Sequence, residues 1–404
     1  MLALIKTFGC KVNYADGEEA AHSLAARGWE CKHASDEDAY EAVQPDIIIV
    51  NSCAVTSTAV AKVRRYIRRA RREYPQAKIA VTGCCAHNEE IAAELRSLGA
   101  EVLTDCSSIG EATEHASMQP ITRRSRRFIK AQDGCDSFCT YCIVPYLRER
   151  WNAPISDIIK RIASAADEGV CEIVLCGVNL GLYNEPQAGF GFTELVRKML
   201  DGLSEGMRLR LSSIEPEHID SGLLDLLSDK RLCPHLHIPL QSGSGRVLGE
   251  MGRRCGLERY IEIAEEIRAR FPFCSITTDL ITGYPTETDA DFLETCEMVK
   301  RIGFERSHVF RYSRRPGTKA ALLKPLPNWL VTEREKALIS LCAEVADERW
   351  QRFLGNTCLV ALEDGMTGYG EAYQRVQIAG ERRMPRCLAE VKLTSYESGV
   401  FTGE

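Results

Sequence analysis

No stretch of the 404 residues approaches the length of apolar run that crosses a membrane. The first residues, Met1-Leu2-Ala3-Leu4-Ile5-Lys6, lack the layout of a secretory signal. Together these absences predict a cytoplasmic protein with no membrane partner. An excess of basic charge is also missing. Lys and Arg number 51 against 57 Asp and Glu, a net charge of −6, so the chain as a whole gives no sign of nucleic-acid binding. With 45% hydrophobic and 27% charged residues the composition is that of an ordinary globular chain, of a length that suggests about two to three domains. What the chain does have is cysteine, 18 in all. In a reducing compartment these read as metal ligands and buried thiols rather than disulfides.

A fourth cysteine is absent where it would be expected. Cys135, Cys139 and Cys142 stand at Cys-x3-Cys-x2-Cys spacing on one short loop, and the next cysteine is Cys171. Each iron of a cubane [4Fe–4S] cluster takes one protein ligand, so three thiolates hold three corners and leave the fourth iron open. An open coordination position marks a site built for chemistry. The alternatives are three incidental thiols or a structural zinc knot, which takes four protein ligands in paired Cys-x2-Cys form. The pattern Cys-x3-Cys-x-Tyr-Cys, with Tyr141 as its aromatic, resembles the signature of radical S-adenosylmethionine enzymes. That resemblance implies that the open iron chelates S-adenosylmethionine. One electron then cleaves it to methionine and a 5′-deoxyadenosyl radical, while the protein supplies position and excludes water.

Residues 1–118 alternate short apolar runs (2–7, 46–51, 78–82, 101–104) with helical patterns (16–27, 56–74, 88–98). The alternation predicts a doubly wound parallel sheet, in which ligands bind beyond the carboxyl ends of the strands. Cys10, Cys53 and Cys84 fall at those ends, where parallel strands bring their tips to one edge. Singly, each reads as a small buried hydrophobe; together they suggest a second cluster. Gly-Cys-x2-Asn, Asn-Ser-Cys-x-Val-Thr and Gly-Cys-x-Ala resemble the three motifs of the amino-terminal domain of methylthiotransferases. The resemblance implies a second [4Fe–4S] cluster on Cys10, Cys53 and Cys84 that holds or becomes the sulfur donor. Cys85 competes for the third place, and the family's Gly-Cys order favours Cys84.

Local charge departs from the global balance. Lys62, Arg64, Arg65, Arg68, Arg69, Arg71 and Arg72 crowd one predicted helix with no acid between Lys62 and Arg72, while Val60, Val63, Ile67 and Ala70 supply its buried face. Arg123, Arg124, Arg126, Arg127 and Lys130 form another basic stretch. Both read as phosphate-facing patches, a solvated helix face being the plainer alternative. Arg64, Arg65, Arg68, Arg69 and Arg72 are the candidate RNA contacts of the helix.

Residues 119–352 repeat strand-like runs (172–176, 208–212, 235–238, 275–280, 306–310) with helices between (154–168, 192–203, 222–229, 256–270, 288–301, 332–352). Such repetition predicts a parallel barrel with its site at the C-terminal strand ends. The six-unit, incomplete barrel of radical S-adenosylmethionine enzymes matches if the cysteine loop brings a strand of its own. Tyr141 and the strand-end residues Gly177, Asn179, Ser213, Glu215, Gln241, Ser242, Asp279 and Arg311 resemble the family pattern and are expected at the cofactor or substrate. Thr286 stands where the family usually has Gly, Gly245 where it has an acidic or amide residue, and Arg311 where it has Pro. Residues 353–404 read as five short strands, a small all-β barrel similar to the TRAM-like RNA-binding barrel that ends methylthiotransferases. Tyr369, Tyr373 and Arg375 are its candidate stacking and phosphate groups, a stabilising cap without RNA contacts being the plainer alternative.

The whole chain thus resembles a methylthiotransferase, its motifs most similar to those of members acting on threonylcarbamoyladenosine in tRNA. The resemblance implies that one S-adenosylmethionine methylates sulfur at the Cys10/Cys53/Cys84 cluster. A second is cleaved at the Cys135/Cys139/Cys142 cluster, and a C–H bond at C2 of the modified adenosine next to the anticodon becomes C–S–CH3. It further implies tRNA, a sulfur-donor protein and an electron-donor protein as partners. Alternatives within the class are isopentenyladenosine tRNA or a ribosomal protein as substrate. Outside it stands a non-catalytic iron–sulfur RNA-binding redox sensor.

Overall fold

The computed structural model describes residues 1–34, 44–104 and 125–404. Contacts divide them into two units. One comprises the residues up to 104 together with Cys142–Glu149; the other comprises 125–141 and Arg150–Glu404. Among the described residues no helix is long and apolar enough to cross a membrane.

The first unit runs β1 (Leu2–Thr7), α1 (Lys11–Ala25), β2 (Glu30–His33), β3 (Ile47–Ser52), α2 (Ser57–Glu73), β4 (Lys78–Gly83), α3 (Glu89–Ser97) and β5 (Glu101–Val102). The strands form a sheet in the order β2-β1-β3-β4-β5, every pair parallel. Alternation along β3 decides the layers. Ile48 and Val50 pack with Val60, Val63 and Ile67 of α2 on one face, and Ile47 and Ile49 pack with Ala21 and Leu24 of α1 on the other. This is the doubly wound layout expected. α2 starts where the Thr56 side chain accepts from Ala59 N at 3.1 Å, an N-cap. β2 was not legible, because its Glu-Cys-Lys-His sequence lies on an edge and buries no residue fully. α1 begins five residues before its predicted start. Gly17, which hides the periodicity, is needed there because a Cβ would lie 2.6 Å from Thr7 Oγ1 of β1.

The second unit contains β6 (Arg126–Asp133), β7 (Trp151–Asn152), α4 (Ile155–Asp167), β8 (Glu172–Gly177), α5 (Phe192–Asp201), β9 (Arg208–Leu211), α6 (Ser221–Leu226), β10 (His235–His237), α7 (Gly245–Glu250), α8 (Leu257–Arg270), β11 (Ser275–Thr282), α9 (Asp289–Ile302), β12 (Arg306–Arg311) and α10 (Asn328–Trp350). Parallel pairing joins β6, β8 and β9, and again β10, β11 and β12. The bridges Leu209↔Leu232 and Ser213↔His237 connect the two groups. The result is a partial (β/α)6 barrel, with β7 antiparallel on the β6 edge. Outward residues such as Ile173, Leu209, Leu236, Ile276 and Leu280 join the main core with the helices.

The chain ends in β13 (Thr357–Leu362), β14 (Thr367–Gly370), β15 (Arg375–Ile378), β16 (Leu388–Glu397) and β17 (Val400–Gly403), a closed barrel in the order β13-β14-β15-β17-β16. Val360, Leu362, Val376, Ile378, Val391, Leu393 and Phe401 fill it. β14 lies two residues earlier than predicted. The freed segment, with Tyr373 at φ +70°, is a loop turned toward the (β/α)6 barrel.

The end of β14 and that loop together meet the opening residue of each of the six parallel strands or its partner. The Arg126 guanidinium lies 4.3 Å over the Tyr369 ring. Glu172 ion-pairs with Arg208 and Arg210, which donate to the carbonyls of Tyr369 at 2.8 Å, Gly370 at 2.9 Å and Glu371 at 2.9 Å. Tyr373 packs on His235 at 4.7 Å between ring centroids, and Arg306 lies 5.5 Å over its ring. Ser275 Oγ donates to Ala372 O at 2.5 Å. The small barrel therefore stoppers the N-terminal mouth of the larger one.

Candidate functional site

Cys10 follows β1 as the residue before α1, Cys53 follows β3, and Cys84 follows β4. Parallel pairing puts these three strands side by side, so the tips coincide. The backbone there leaves no spare room. Gly9, at φ +104°, would place a Cβ 2.6 Å from Cys53 Cβ, and Gly83, at φ +79°, would place one 2.5 Å from Asn51 Oδ1 and Ser52 O. The thiols feel one another. Burial, then Cys84 and Cys10, push the Cys53 thiol up to about 12. Cys10 reaches the surface as a residue, yet desolvation raises its thiol first and Cys84 next, while Arg148 acts the other way.

Cys84 and Cys85 differ in surroundings. Cys85 is fully buried and its Sγ donates to Cys53 O at 3.3 Å, as a structural thiol does. Cys84 Sγ accepts from Arg148 Nε at 3.2 Å. The Arg148 guanidinium is itself held by Asn13 Oδ1 at 2.8 Å and Asp16 Oδ2 at 3.0 Å, with its side chain 8% exposed. Asn13 is locked in turn by donating to Phe8 O at 2.7 Å and Ser52 O at 2.9 Å. Three soft donors at the ends of adjacent strands, one of them on a cation, suit an iron–sulfur group. Arg148 was not foreseen. Its sequence signal, an arginine six residues after Cys142, names no partner.

In the second unit the cysteine loop leaves β6. Gln132 shapes its start, donating to Asp133 O at 2.7 Å and Gly134 O at 2.6 Å while its Oε1 accepts from Asn179 N at 2.8 Å. Gly177 makes room, since a Cβ there would sit 3.1 Å from Gln132 Oε1. Asn179 Nδ2 lies 3.9 Å from Cys135 Sγ, and its buried Oδ1 has no hydrogen-bond partner among the described residues, an acceptor left for a bound group. The turn after α7 clamps the far side. Thr140 N donates to Met251 O at 2.8 Å, Thr140 Oγ1 to Glu250 O at 2.9 Å, and Arg254 to Asp136 O at 2.9 Å. Arg253 reaches Cys139 Sγ at 4.0 Å and pairs with Glu215. Burial raises the Cys139 thiol and Arg253 works to lower it. Tyr141 packs on the cluster of Val247, Met251, Tyr284 and Ala320. Cys142 opens the segment that packs with the first unit, where Ile143 and Leu147 enter the core of α2, β3 and β4. The α7 turn was not legible because its helix is six residues long and begins with Gly245.

Across the strands of the barrel runs a polar line. Thr277 Oγ1 meets His235 Nε2 at 3.0 Å and His237 Nδ1 at 2.9 Å, and Asp279 lies 3.3 Å from His237 Nε2 and 3.1 Å from His308 Nδ1. Burial acts to raise the Asp279 pKa, but the two imidazoles hold it well below the usual carboxylate range. Gln241 adopts φ +71°, rare for a side-chain-bearing residue, and its backbone bridges to β11 at Leu280. Ser213 bridges to His237 beside it. Two expected pocket residues stand elsewhere. Arg311 lies on the outer face of β12 with Val309 and ion-pairs with Glu335 of α10, as the two-residue period of a strand requires. Ser242 is buried, accepting from Ser244 N at 3.2 Å and facing Thr295 of α9 at 3.5 Å, so it braces a loop.

The basic helix α2 lines a groove of about 770 Å³ with Arg64, Arg65, Arg68, Arg69 and Arg72, together with Glu73 and Glu94. Arg64 pairs with Glu94 and Arg69 with Glu73 at 2.9 Å, while Arg65 and Arg68 are exposed. Arg71 turns inward to the carbonyls of Ala77 and Gly99. The second basic stretch is corrected. Arg126 pairs with Glu363 at 2.8 Å, Arg127 is buried on Glu168, and Lys130 pairs with Asp133 at 3.1 Å; Arg123 and Arg124 lie outside the described residues. In the C-terminal barrel, Tyr369 and Tyr373 stack on each other at 5.1 Å and face the (β/α)6 barrel, so neither presents the open ring expected for a base. Arg375 is exposed.

Comparison with known proteins agrees with this layout. Residues 129–299 match the Radical SAM superfamily, and residues 3–104 match the Uncharacterized protein family UPF0004. The chain is 34% identical to the threonylcarbamoyladenosine tRNA methylthiotransferase MtaB of Thermotoga maritima, over 98% of this chain and 96% of that protein. It is 32% identical to the protein of that name in Bacillus subtilis, over 98% and 95%. It is 31% identical to the tRNA-2-methylthio-N(6)-dimethylallyladenosine synthase of Desulforamulus reducens, over 100% and 95%. Among solved structures, the radical S-adenosylmethionine methyltransferase TsrM of Kitasatospora setae, with cobalamin and a [4Fe–4S] cluster bound, shares the fold. Its TM-score is 0.52 at 14% identity, over 79% of this chain and 76% of that one.

Proposed function

We propose, from the premise that this chain belongs to the methylthiotransferase family of radical S-adenosylmethionine enzymes, that it adds a methylthio group to C2 of N6-threonylcarbamoyladenosine next to the anticodon of tRNA. The observation that carries the reading is the joint presence of the radical cysteine loop and three cysteines at the ends of adjacent parallel strands. A [4Fe–4S] cluster and S-adenosylmethionine belong to the family. When bound, they supply a one-electron cleavage that produces a carbon radical able to take hydrogen from the substrate.

The chain's own residues do the rest. Cys135, Cys139 and Cys142 hold the radical cluster, and Cys10, Cys53 and Cys84 hold a second cluster on the sulfur side. Asn179 steadies Cys135, and Arg253 with Glu215 steadies Cys139. Glu215, Gln241 and Asp279 face the cofactor or the nucleoside, with Asp279 kept ionised by its histidines. Arg65, Arg68, Arg69 and Arg72 take tRNA phosphates, and Arg375 contributes from the small barrel. A sulfur-donor protein and an electron-donor protein restore the enzyme in the cytoplasm, where tRNA resides.

The Desulforamulus relative, whose name carries dimethylallyladenosine, favours isopentenylated tRNA as the second reading. The two are separated by offering anaerobically reconstituted enzyme threonylcarbamoylated and isopentenylated tRNA side by side. The methylthio mass shift is expected on the first. A shift only on the second overturns the substrate and leaves the chemistry standing.

A further inference from the structure

We propose that Arg148 is a positioning residue for the strand-end cluster: it fixes the Cys84 thiolate and sets the cluster's reduction potential through an N–H···S hydrogen bond balanced by Asp16. The inference rests on the reading of Cys10, Cys53 and Cys84 as cluster ligands.

A guanidinium with its side chain 8% exposed needs compensation for lost hydration. Asp16 supplies one anion at 3.0 Å and Asn13 one neutral acceptor at 2.8 Å. The Nε–H, however, is aimed at sulfur, 3.2 Å from Cys84 Sγ. A charge-assisted donor bonds most strongly to an anionic sulfur, such as the thiolate of a bound cluster would be. Hydrogen bonds to ligand sulfurs and nearby charge are two of the levers that set iron–sulfur potentials, since each stabilises the more negative, reduced cluster.

The geometry is held from both sides. Asn13, near the start of α1, is fixed by two backbone carbonyls and by Asn51, whose side chain donates to Asn13 O at 2.5 Å. Arg148 itself belongs to the segment beginning at Cys142, whose Ile143 and Leu147 are anchored in the core of the first unit. One short stretch therefore carries a ligand of the radical cluster at its start and the clamp on a ligand of the other cluster near its end.

The test uses the full chain with Cys135, Cys139 and Cys142 all changed to Ala, so that only the strand-end cluster is reconstituted. Its midpoint potential is followed by a redox titration with visible and electron-paramagnetic-resonance detection, and its iron loss by a ferrous chelator. Arg148→Met should shift the potential negative and quicken iron loss by about tenfold or more. Arg148→Lys should fall between. Asp16→Asn should shift the potential the opposite way, because it removes a negative charge and leaves the arginine in place. Potentials unchanged in both Arg148→Met and Asp16→Asn, or shifted in the same direction, overturn the proposal. Should Arg148→Met fail to fold, Arg148→Lys and Asp16→Asn still decide it by the signs of their shifts. Absence of any cluster in the parent triple variant overturns the two-cluster reading and the proposal with it.

Discussion

Adjacent residues of identical chemistry have different surroundings in the pair Cys84 and Cys85. The Cys85 thiol is spent on the Cys53 carbonyl inside the core, whereas Cys84 faces Arg148. Anaerobically reconstituted protein is expected to bind roughly eight irons per chain, four for each cubane. Cys84→Ala should reduce the count to about half, and Cys85→Ala should leave it close to the parent value by the same ligand count. Iron analysis of the two variants checks this; half-occupancy in Cys85→Ala with full occupancy in Cys84→Ala would move the third ligand. Reductive cleavage of S-adenosylmethionine should survive Cys84→Ala while methylthiolation stops. Gly-Cys order in the sequence favoured Cys84 only by resemblance, and the arginine that distinguishes it comes from 64 positions away along the chain.

At the scale of elements, the opening residues of the barrel strands carry a buried charge network that has no counterpart in the sequence pattern. Glu172, Arg208 and Arg210 all lie within the (β/α)6 barrel, almost without exposure. Burial would raise the Glu172 carboxyl, but Arg210 and then Arg208 overcome it and hold the group well below the usual carboxylate range. A depressed acid stabilises the fold above its unfolded pKa and loses that contribution as pH falls toward the folded value. Stability should therefore decline below about pH 4.5 as the carboxylate of the unfolded chain gains its proton. Glu172→Gln strands two guanidiniums and should cost about 3–5 kcal/mol, measured by denaturant titration, with a flatter acid limb. An unchanged midpoint would mean that the network is neutral to stability. α2 is the opposite case. Its cations point outward, and removing charge at Arg68, Arg69 and Arg72 should weaken tRNA binding and lower its salt slope by roughly one for each phosphate that is no longer neutralised. Filter binding across a salt series reads this; a slope equal to the parent's would leave α2 outside the interface.

For the whole molecule, the small barrel acts as a cap whatever it binds. Read alone, its five strands suggest an RNA-binding barrel whose deletion after residue 353 weakens tRNA binding, or a stabilising cap. Its 369–373 stretch, the end of β14 and the loop after it, meets the starts of the larger barrel's strands. Deletion should remove the carbonyl acceptors of Arg208 and Arg210 and expose His235 and Ser275. The truncated protein is therefore expected to melt at clearly lower temperature than the full chain, by calorimetry, in addition to any loss of affinity. Arg375→Glu is the better probe of RNA binding, because Arg375 is exposed on β15. It should weaken tRNA binding at an unchanged melting temperature; equal affinity would turn the barrel into a stopper alone.

The sequence by itself determined the chemistry-bearing spacings and the element order. Cys135, Cys139 and Cys142 are neighbours by covalent connection, and their three-ligand arithmetic needs no folding. Apolar runs and helical periodicity report burial residue by residue, which is why α2, β3, β4 and the barrel strands were legible with the parallel layout they imply. Tertiary structure alone decided which charges face solvent and which face one another. Arg68 and Arg127 are alike in sequence, yet one lies on the open face of a helix and the other is buried on Glu168. Tyr369 reads as a stacking group until Arg126 and Tyr373 are found against it. Arg148 reads as one more cation until Cys84, Asn13 and Asp16 converge on it. Local pattern records the hydrophobic face of each element, whereas a buried cation is defined by partners scores of residues away, and only the folded chain brings them within hydrogen-bond distance.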